Sequence, residues 1–266
     1  MPNRIDSKFL DLRARGQAGF IAYITAGDPS PASTPPIAIA LEEAGVDILE
    51  LGIPFSDPLA DGATIQAAAG RAISAGTTVA GVLDAVREIR KSSEIPIVLF
   101  TYLNPIYVYG YEKFLSDAVA AGADGLLILD LPPDEAACNI ELARRSGGLL
   151  SIQLIAPTTP PERMEMIAKS AEGFIYYVSR EGVTGEQCLL SQSISPQVAE
   201  IRKHTALPVA VGFGISTPDQ AREVARQSDA VVVGSAIVRR IGELGCSPGL
   251  AAEIAAFVRP LAAATK

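Results

Sequence analysis

Short runs of apolar residues recur along the whole chain and alternate with segments of helical pattern. Each run is six to eight residues long and rich in Val, Ile and Leu. Strands that are buried on both faces have this composition, and they form parallel sheets that are covered by helices. The runs occupy residues 19–25, 46–52, 95–102, 125–131, 150–156, 174–179, 208–214 and 230–235.

The segments between these runs carry the start and stop signals of helices. Prolines followed by acidic residues stand at Pro133, Pro161 and Pro218, and both residue types are favoured in the first turn of a helix. Gly45 and Gly122 follow apparent helix ends, which is typical of a left-handed residue just after a helix. We therefore expect a helix between most pairs of successive strands.

Eight strand–helix units in 266 residues predict an α/β fold, a single (β/α)8 TIM barrel that takes up residues 1–266 as one domain. An N-terminal helix over residues 7–15 is expected to cap the bottom of the barrel. A short extra helix over 235–244 is expected before the last helix, 248–262. A doubly wound open sheet is the alternative, but no GxGxxG sequence follows the first strand.

Charge and composition exclude several classes of function. The chain has 22 Lys and Arg against 30 Asp and Glu, a net charge of −8, which argues against nucleic acids and anionic membranes as partners. No apolar run is long enough to span a membrane, and no signal peptide is recognised at the start, so we expect a cytoplasmic protein. With a single histidine, His204, and three scattered cysteines, no metal site is predicted.

In a barrel of this kind the active site lies at the carboxyl ends of the strands, and the second predicted strand places an acid there. Glu50 lies within an apolar strand, where burial raises the pKa of a carboxyl group and suits it to proton transfer. The alternative is a structural acid satisfied by hydrogen bonds. Asp61, in the loop that follows, either lines the site or caps the next helix.

Glycines lie at or after the ends of the sixth, seventh and eighth predicted strands. Gly185 lies in the loop after the sixth strand, Gly214 and Gly234 lie at the ends of the seventh and eighth, and Ser235 opens the short extra helix. Exposed backbone amides together with a helix N-terminus form the phosphate site that is common in this fold. The residues thus predict a barrel enzyme that binds a phosphate ester. Asp130, after the fourth strand, either caps the next helix or lines the site.

Several of these segments together resemble the tryptophan synthase alpha chain family. The longest is ELGIPFSDPLADG at residues 50–62. The others are YITAGDP at 23–29, REGVTG at 180–185, GFGI at 212–215 and GSAIV at 234–238. The resemblance runs through the whole chain in order. It implies a lyase that cleaves indole-3-glycerol phosphate to indole and glyceraldehyde 3-phosphate by a retro-aldol reaction, in tryptophan biosynthesis.

The resemblance also implies roles for individual residues. Glu50 matches the general acid/base of the family, and Asp61 matches the carboxylate that accepts the indole N–H and stabilises positive charge on the ring. The other matching positions bind the phosphate (Gly185, Gly214, Gly234, Ser235) or the rest of the substrate (Tyr23, Phe100, Leu127, Tyr176, Thr184, Phe213). Thr184 matches a loop threonine that contacts Asp61 when the loop closes.

A partner follows from the resemblance as well, namely the tryptophan synthase beta chain in an α2β2 complex. No cofactor is expected on this chain, because pyridoxal phosphate belongs to the beta chain. Pro54, Asp57, Asn104 and Pro132 are expected on the shared face. The alternatives are a stand-alone lyase, a largely regulatory alpha chain that activates a beta partner, and a phosphate-sugar isomerase or epimerase, against which the lone His204 argues.

Overall fold

A computed structural model describes residues 3–178, 190–212 and 214–266. Its strands are β1 (Gly19–Thr25), β2 (Ile48–Gly52), β3 (Ile97–Thr101), β4 (Gly125–Ile128), β5 (Leu150–Ser151), β6 (Gln153–Ile155), β7 (Ile175–Val178), β8 (Val209–Gly212) and β9 (Ala230–Val233). Every pairing among them is parallel, in the order β5-β4-β3-β2-β1-β9-β8-β7-β6.

Helices alternate with the strands along the described chain. They are α1 (Arg4–Arg15), α2 (Thr34–Glu43), α3 (Ala63–Ser74), α4 (Val79–Arg90), α5 (Leu103–Tyr109), α6 (Tyr111–Ala121), α7 (Pro133–Arg145), α8 (Pro161–Ser170), α9 (Leu190–Ile201), α10 (Pro218–Ala225), α11 (Ser235–Leu244) and α12 (Leu250–Ala263), with a 3-10 turn at Pro31–Ser33. The predicted (β/α)8 barrel is confirmed, as are the N-terminal helix and the extra helix before the last one. In the described part of the chain, no helix is long and apolar enough to cross a membrane.

The predicted fifth strand, residues 150–156, is interrupted in the structure. Ile152 separates β5, which pairs with β4, from β6, which pairs with β7. The two segments together make the fifth of eight barrel strands. The Ile152 amide still donates to the Leu126 carbonyl oxygen at 3.0 Å, so the interruption marks a change of pairing partner and does not break the barrel wall.

Two further boundaries differ from the prediction. Helix α1 begins at Arg4 rather than residue 7, because the side chain of Asn3 accepts a hydrogen bond from the Ile5 amide and caps the helix. Strand β4 ends at Ile128 rather than residue 131. There Asp130 turns away and accepts a hydrogen bond from the Leu103 amide at 2.7 Å, so Asp130 caps α5 and not the helix that follows it.

Two apolar layers hold the barrel together. The larger layer lies between the strands and the surrounding helices, and the smaller one fills the lower interior. Helix α1 covers the bottom, where Ile5 is fully buried. A side chain at Gly125 or Gly173 would meet Ile5 at 3.0 or 3.3 Å, so these glycines make room for the helix.

Buried aspartates fix the lower ends of the strands. Asp47 accepts a hydrogen bond from the Phe20 amide at 2.7 Å. Asp124 accepts hydrogen bonds from the Ile97 amide at 2.8 Å and the Arg90 guanidinium at 2.7 Å. Gly45 and Gly122 end the preceding helices with φ of 100° and 97°, a conformation that favours glycine. Both aspartates are therefore structural.

Candidate active site

Glu50 lies in the middle of β2 with its side chain inside the barrel. Glu50 is two residues from Ile48 in the strand, so both side chains point to the same face, and Ile48 belongs to the interior layer. Glu50 pairs with Tyr23 of β1 and Val98 of β3. The residue is 0% exposed. Neither carboxyl oxygen has a hydrogen-bond partner among the residues that the structure describes. The described residues therefore give no support to the interpretation of Glu50 as a structural acid satisfied by hydrogen bonds.

Burial alone raises the pKa of Glu50 to about 8. An apolar surrounding disfavours the charged carboxylate, and among the described residues no cation compensates for it. The side chain therefore carries a proton at neutral pH and can also lose one at modest cost. A general acid/base needs both properties.

Asp61 lies in the loop between β2 and α3, one residue before Gly62, which is the N-cap of the helix. Burial raises the pKa of its carboxyl group, and a hydrogen bond with the Tyr102 hydroxyl opposes that rise. The same hydroxyl accepts a hydrogen bond from the Ala60 amide at 3.0 Å. Phe55 packs against the ring of Tyr102, with centroids 5.4 Å apart. Tyr102 thus holds this loop at three points.

Tyr102 is the site residue that the sequence analysis missed. The motif around it contains several tyrosines, which are more often packing residues than functional ones. Its position at the carboxyl end of β3, beside the loop after β2, was a usable signal, because the ends of adjacent parallel strands meet at the same edge.

Aromatic rings form a row above Glu50. Tyr23 and Phe100 make an edge-to-face contact with centroids 5.1 Å apart, and Phe100 lies 6.4 Å from Tyr176. Burial, followed by the charge of Asp61, raises the pKa of Tyr23, and burial followed by the charge of Glu50 raises that of Tyr176. Leu127 lies below them in the interior layer. Tyr23 and Tyr176 lie within electrostatic reach of both carboxyl groups, and the four residues give this part of the site an apolar surface.

The start of α11 supplies free backbone amides. Gly234 precedes the helix and Ser235 begins it, and no side chain caps this end. The first amides of a helix lack partners within it and favour an anion. A side chain at Gly234 would lie 3.2 Å from the Tyr23 side chain, whereas the space around Gly214 is open. Of the other predicted residues, Gly185, Thr184 and Phe213 lie outside the described residues.

Two further polar groups are not brought into the site. Asp130 is exposed and caps α5 as described. His204 lies beyond the end of α9, 3.7 Å from a Glu200 carboxyl oxygen. Within the described ranges, no group of three or more His, Cys, Asp or Glu side chains is arranged to hold a metal ion.

A (β/α)8 barrel with a buried acid that has no hydrogen-bond partner among the described residues, an aromatic apolar surface and uncapped helix amides defines an enzyme that acts on a small apolar substrate bearing an anionic group. The family described as "Tryptophan synthase alpha chain" matches residues 9–266. The chain belongs to this family. It is a lyase of tryptophan biosynthesis that cleaves indole-3-glycerol phosphate, so the predicted family and reaction are confirmed and the isomerase alternative is wrong.

Relatives and solved structures agree over nearly full length. The chain is 50% identical over 265 residues to the tryptophan synthase alpha chain of Opitutus terrae, covering 99% of each chain. It is 49% identical over 259 residues to that of Geobacter sulfurreducens, covering 97% of each. The crystal structure of tryptophan synthase subunit alpha from Legionella pneumophila has a TM-score of 0.92 at 40% identity, covering 100% of this chain and 99% of that one.

Proposed function

We propose that Glu50 carries the proton transfers of the cleavage. Its protonated carboxyl group donates a proton to C3 of the indole ring. The resulting carboxylate accepts the proton of the C3′ hydroxyl as the bond between C3 and C3′ breaks, which releases indole and glyceraldehyde 3-phosphate. Glu50 ends the cycle protonated, as it began. The observation that supports this role best is its complete burial without a described hydrogen-bond partner.

Asp61 stabilises the positive charge that appears on the ring after C3 is protonated. A carboxylate that accepts the indole N–H places negative charge where positive charge develops, and this is a large source of rate enhancement. The hydrogen bond from Tyr102 supports the role, because it lowers the pKa of Asp61 against the effect of burial. We also propose that Thr184 contacts Asp61 when its loop closes.

The two ends of the substrate bind to different parts of the rim. We assign the phosphate to the amides and side chains around Gly185, Gly214, Gly234 and Ser235. The indole ring lies along Tyr23, Phe100, Leu127, Tyr176 and Phe213, where the aromatic row supports a flat apolar ligand. No cofactor takes part on this chain.

A beta chain is the partner that we propose, in an α2β2 heterotetramer in the cytoplasm, with pyridoxal phosphate on the beta chain. Leu59 in the loop before Asp61 is 92% exposed, and Tyr107 and Val108 on α5 are 72% and 78% exposed. We call these three residues the rim patch. Exposed large apolar side chains that cluster mark interaction surfaces, and Tyr102, which directly precedes α5, holds the loop of Leu59 through the Ala60 amide. Pro54, Asp57, Asn104 and Pro132 extend the same face.

Indole release from indole-3-glycerol phosphate tests the proposal, with wild type compared with Glu50→Gln, in the presence and absence of a beta chain. We expect the variant to lose a factor of about 10²–10⁴ in rate, the usual contribution of a general acid/base, because the amide cannot exchange a proton. Glu88→Gln, on the surface of α4, is the matched control and should behave as wild type.

Each outcome decides between alternatives. Slow wild-type cleavage that a beta chain accelerates supports the complex, whereas fast cleavage by the chain alone supports a stand-alone lyase. Activation of a beta chain without any cleavage supports the regulatory alternative. A Glu50→Gln variant as active as wild type would overturn the assignment of Glu50.

A further inference from the structure

An ion pair with a buried aspartate and a half-buried arginine lies beside the site but takes no part in the chemistry proposed above. Asp28 follows β1, and its side chain is 1% exposed. Both of its carboxyl oxygens accept hydrogen bonds from the guanidinium of Arg71 on α3, at 2.7 and 2.8 Å. This two-point geometry fixes direction as well as distance, which a single contact does not.

The pair lies where three elements of the site meet. Tyr23 of β1, Ala68 of α3 and Val238 of α11 form an apolar cluster of their own. Arg71 also packs on α11, since a side chain at Gly242 would come within 2.9 Å of its guanidinium. One guanidinium thus connects the loop after β1 to both helices.

Each of these elements carries part of the proposed site. β1 carries Tyr23, α3 begins two residues after Asp61, and α11 begins at Ser235. Neither helix has a side-chain cap at its N-terminus, although caps elsewhere in the chain fix the starts of α1, α4 and α10. The positions of the α3 and α11 N-termini must therefore come from packing and from contacts further along each helix.

We infer that Asp28 and Arg71 are positioning residues, which hold Asp61 and the phosphate-binding end of α11 at a fixed separation. A substrate that spans both groups binds and reacts well only when that separation is right, and a displacement of about 1 Å far from the chemistry can cost about 10²-fold in rate. The inference rests on the proposed function, because it assumes that the two ends of one substrate meet these two helices.

The chain offers a matched control at the other end of the barrel. Arg90 on α4 pairs with Asp124 at 2.7 Å, and both side chains are largely buried. This pair fastens the bottom of the barrel, away from the strand ends that carry the site. Replacing it should lower stability without changing the geometry at the top.

The experiment compares Arg71→Met and Arg71→Lys with Arg90→Met and Arg90→Lys. For each variant the unfolding midpoint in urea, kcat, KM and the dissociation constant for inorganic phosphate are measured, with activity assayed well below the unfolding temperature. We expect Arg71→Met to raise KM and weaken phosphate binding, and to lower kcat/KM by about 10- to 100-fold. Arg71→Lys should recover part of this loss because it keeps the charge but not the two-point geometry.

The Arg90 variants should lose stability yet keep wild-type KM and phosphate affinity. If Arg71 variants that remain folded show the same pattern as Arg90 variants, the pair is merely structural and the inference fails. Asp28→Asn serves if the Arg71 variants do not fold, with the same expectation for KM. Failure of the proposed function would be seen separately, as normal cleavage by Glu50→Gln.

Discussion

At the scale of single residues, the strand around Glu50 determines its proton affinity. Every residue of β2 is buried, so the carboxyl group has neither water nor a described partner to stabilise its charge. The sequence alone could indicate this much, because an acid inside an apolar strand is visible as a pattern. The hydrogen bond between Tyr102 and Asp61 was harder to find, because the two residues are 41 positions apart and only the pairing of β2 with β3 brings them together.

The raised pKa of Glu50 has a consequence for stability that pH should reveal. The pKa rises from an ordinary value of 4.5 to about 8 on folding. Between these values the folded chain holds a proton that the unfolded chain has released, so raising the pH across this window favours unfolding. Below the window Glu50 is protonated in both states, and above it the full cost of its charge has been reached.

We therefore predict that Glu50→Gln gains stability relative to wild type as the pH rises from about 5 to about 8, by at most about 1.4 kcal/mol for each pH unit. The gain should level off above about pH 8. Urea unfolding of both proteins across this range measures it. A stability difference that is independent of pH would show that the folded carboxyl group titrates as an ordinary one.

At the scale of elements, the alternation of buried strands and helices was predictable, but local pairing was not. The apolar runs located all eight barrel strands because a strand covered on both faces needs a continuous run. The change of partner at Ile152 depends on neighbours distant in sequence. So does the cap that Asp130 provides to α5, since the sequence indicated only the helix after Asp130 or the site.

A substitution at Gly52, the last residue of β2, tests how closely β2 and Tyr23 of β1 pack at the site. A side chain there would lie 2.2 Å from the Tyr23 hydroxyl oxygen and 2.7 Å from the ring, so Gly52→Ala must displace Tyr23. We predict a loss of about 1–3 kcal/mol in stability, typical of overpacking, and a higher KM, measured by urea unfolding and steady-state kinetics.

Gly70→Ala is the control for this substitution. Gly70 lies inside α3, with open space where the side chain would go. The added methyl group should stabilise the helix by about 0.5–1 kcal/mol and leave KM unchanged. Equal effects of the two substitutions would contradict the close contact between Gly52 and Tyr23.

At the scale of the whole molecule, stability and function lie at opposite ends of the barrel. Helix α1, Asp47 and Asp124 fasten the bottom, whereas the acids, the aromatic row and the rim patch lie at the top. The sequence predicted this division, because in this fold residues at the carboxyl ends of the strands form the active site and residues at the amino ends serve stability. That residues 1–266 form one domain stays a prediction.

The rim patch should govern association with a beta chain. We predict that Tyr107→Asp weakens binding more than about tenfold, because a large aromatic residue at the centre of an interface often contributes about 2 kcal/mol or more. Leu10→Asp on α1, at a residue 67% exposed at the bottom of the barrel, is the control. Titration calorimetry measures the affinity of both variants for a beta chain. Equal affinities of the two variants would show that the interface lies elsewhere.

The covered bottom of the barrel bears on when Glu50 can exchange protons with the solvent. Ile5 and the interior layer fill the barrel interior below Glu50 in the described structure. Water can therefore reach Glu50 only from the upper end of the barrel, its mouth, where we propose that the substrate binds. On the proposed binding mode, a bound substrate closes this route and separates Glu50 from the solvent. The bulk pH sets the proton on Glu50 while the mouth is open, and once the mouth is occupied the acid and its substrate share a fixed number of protons until indole leaves.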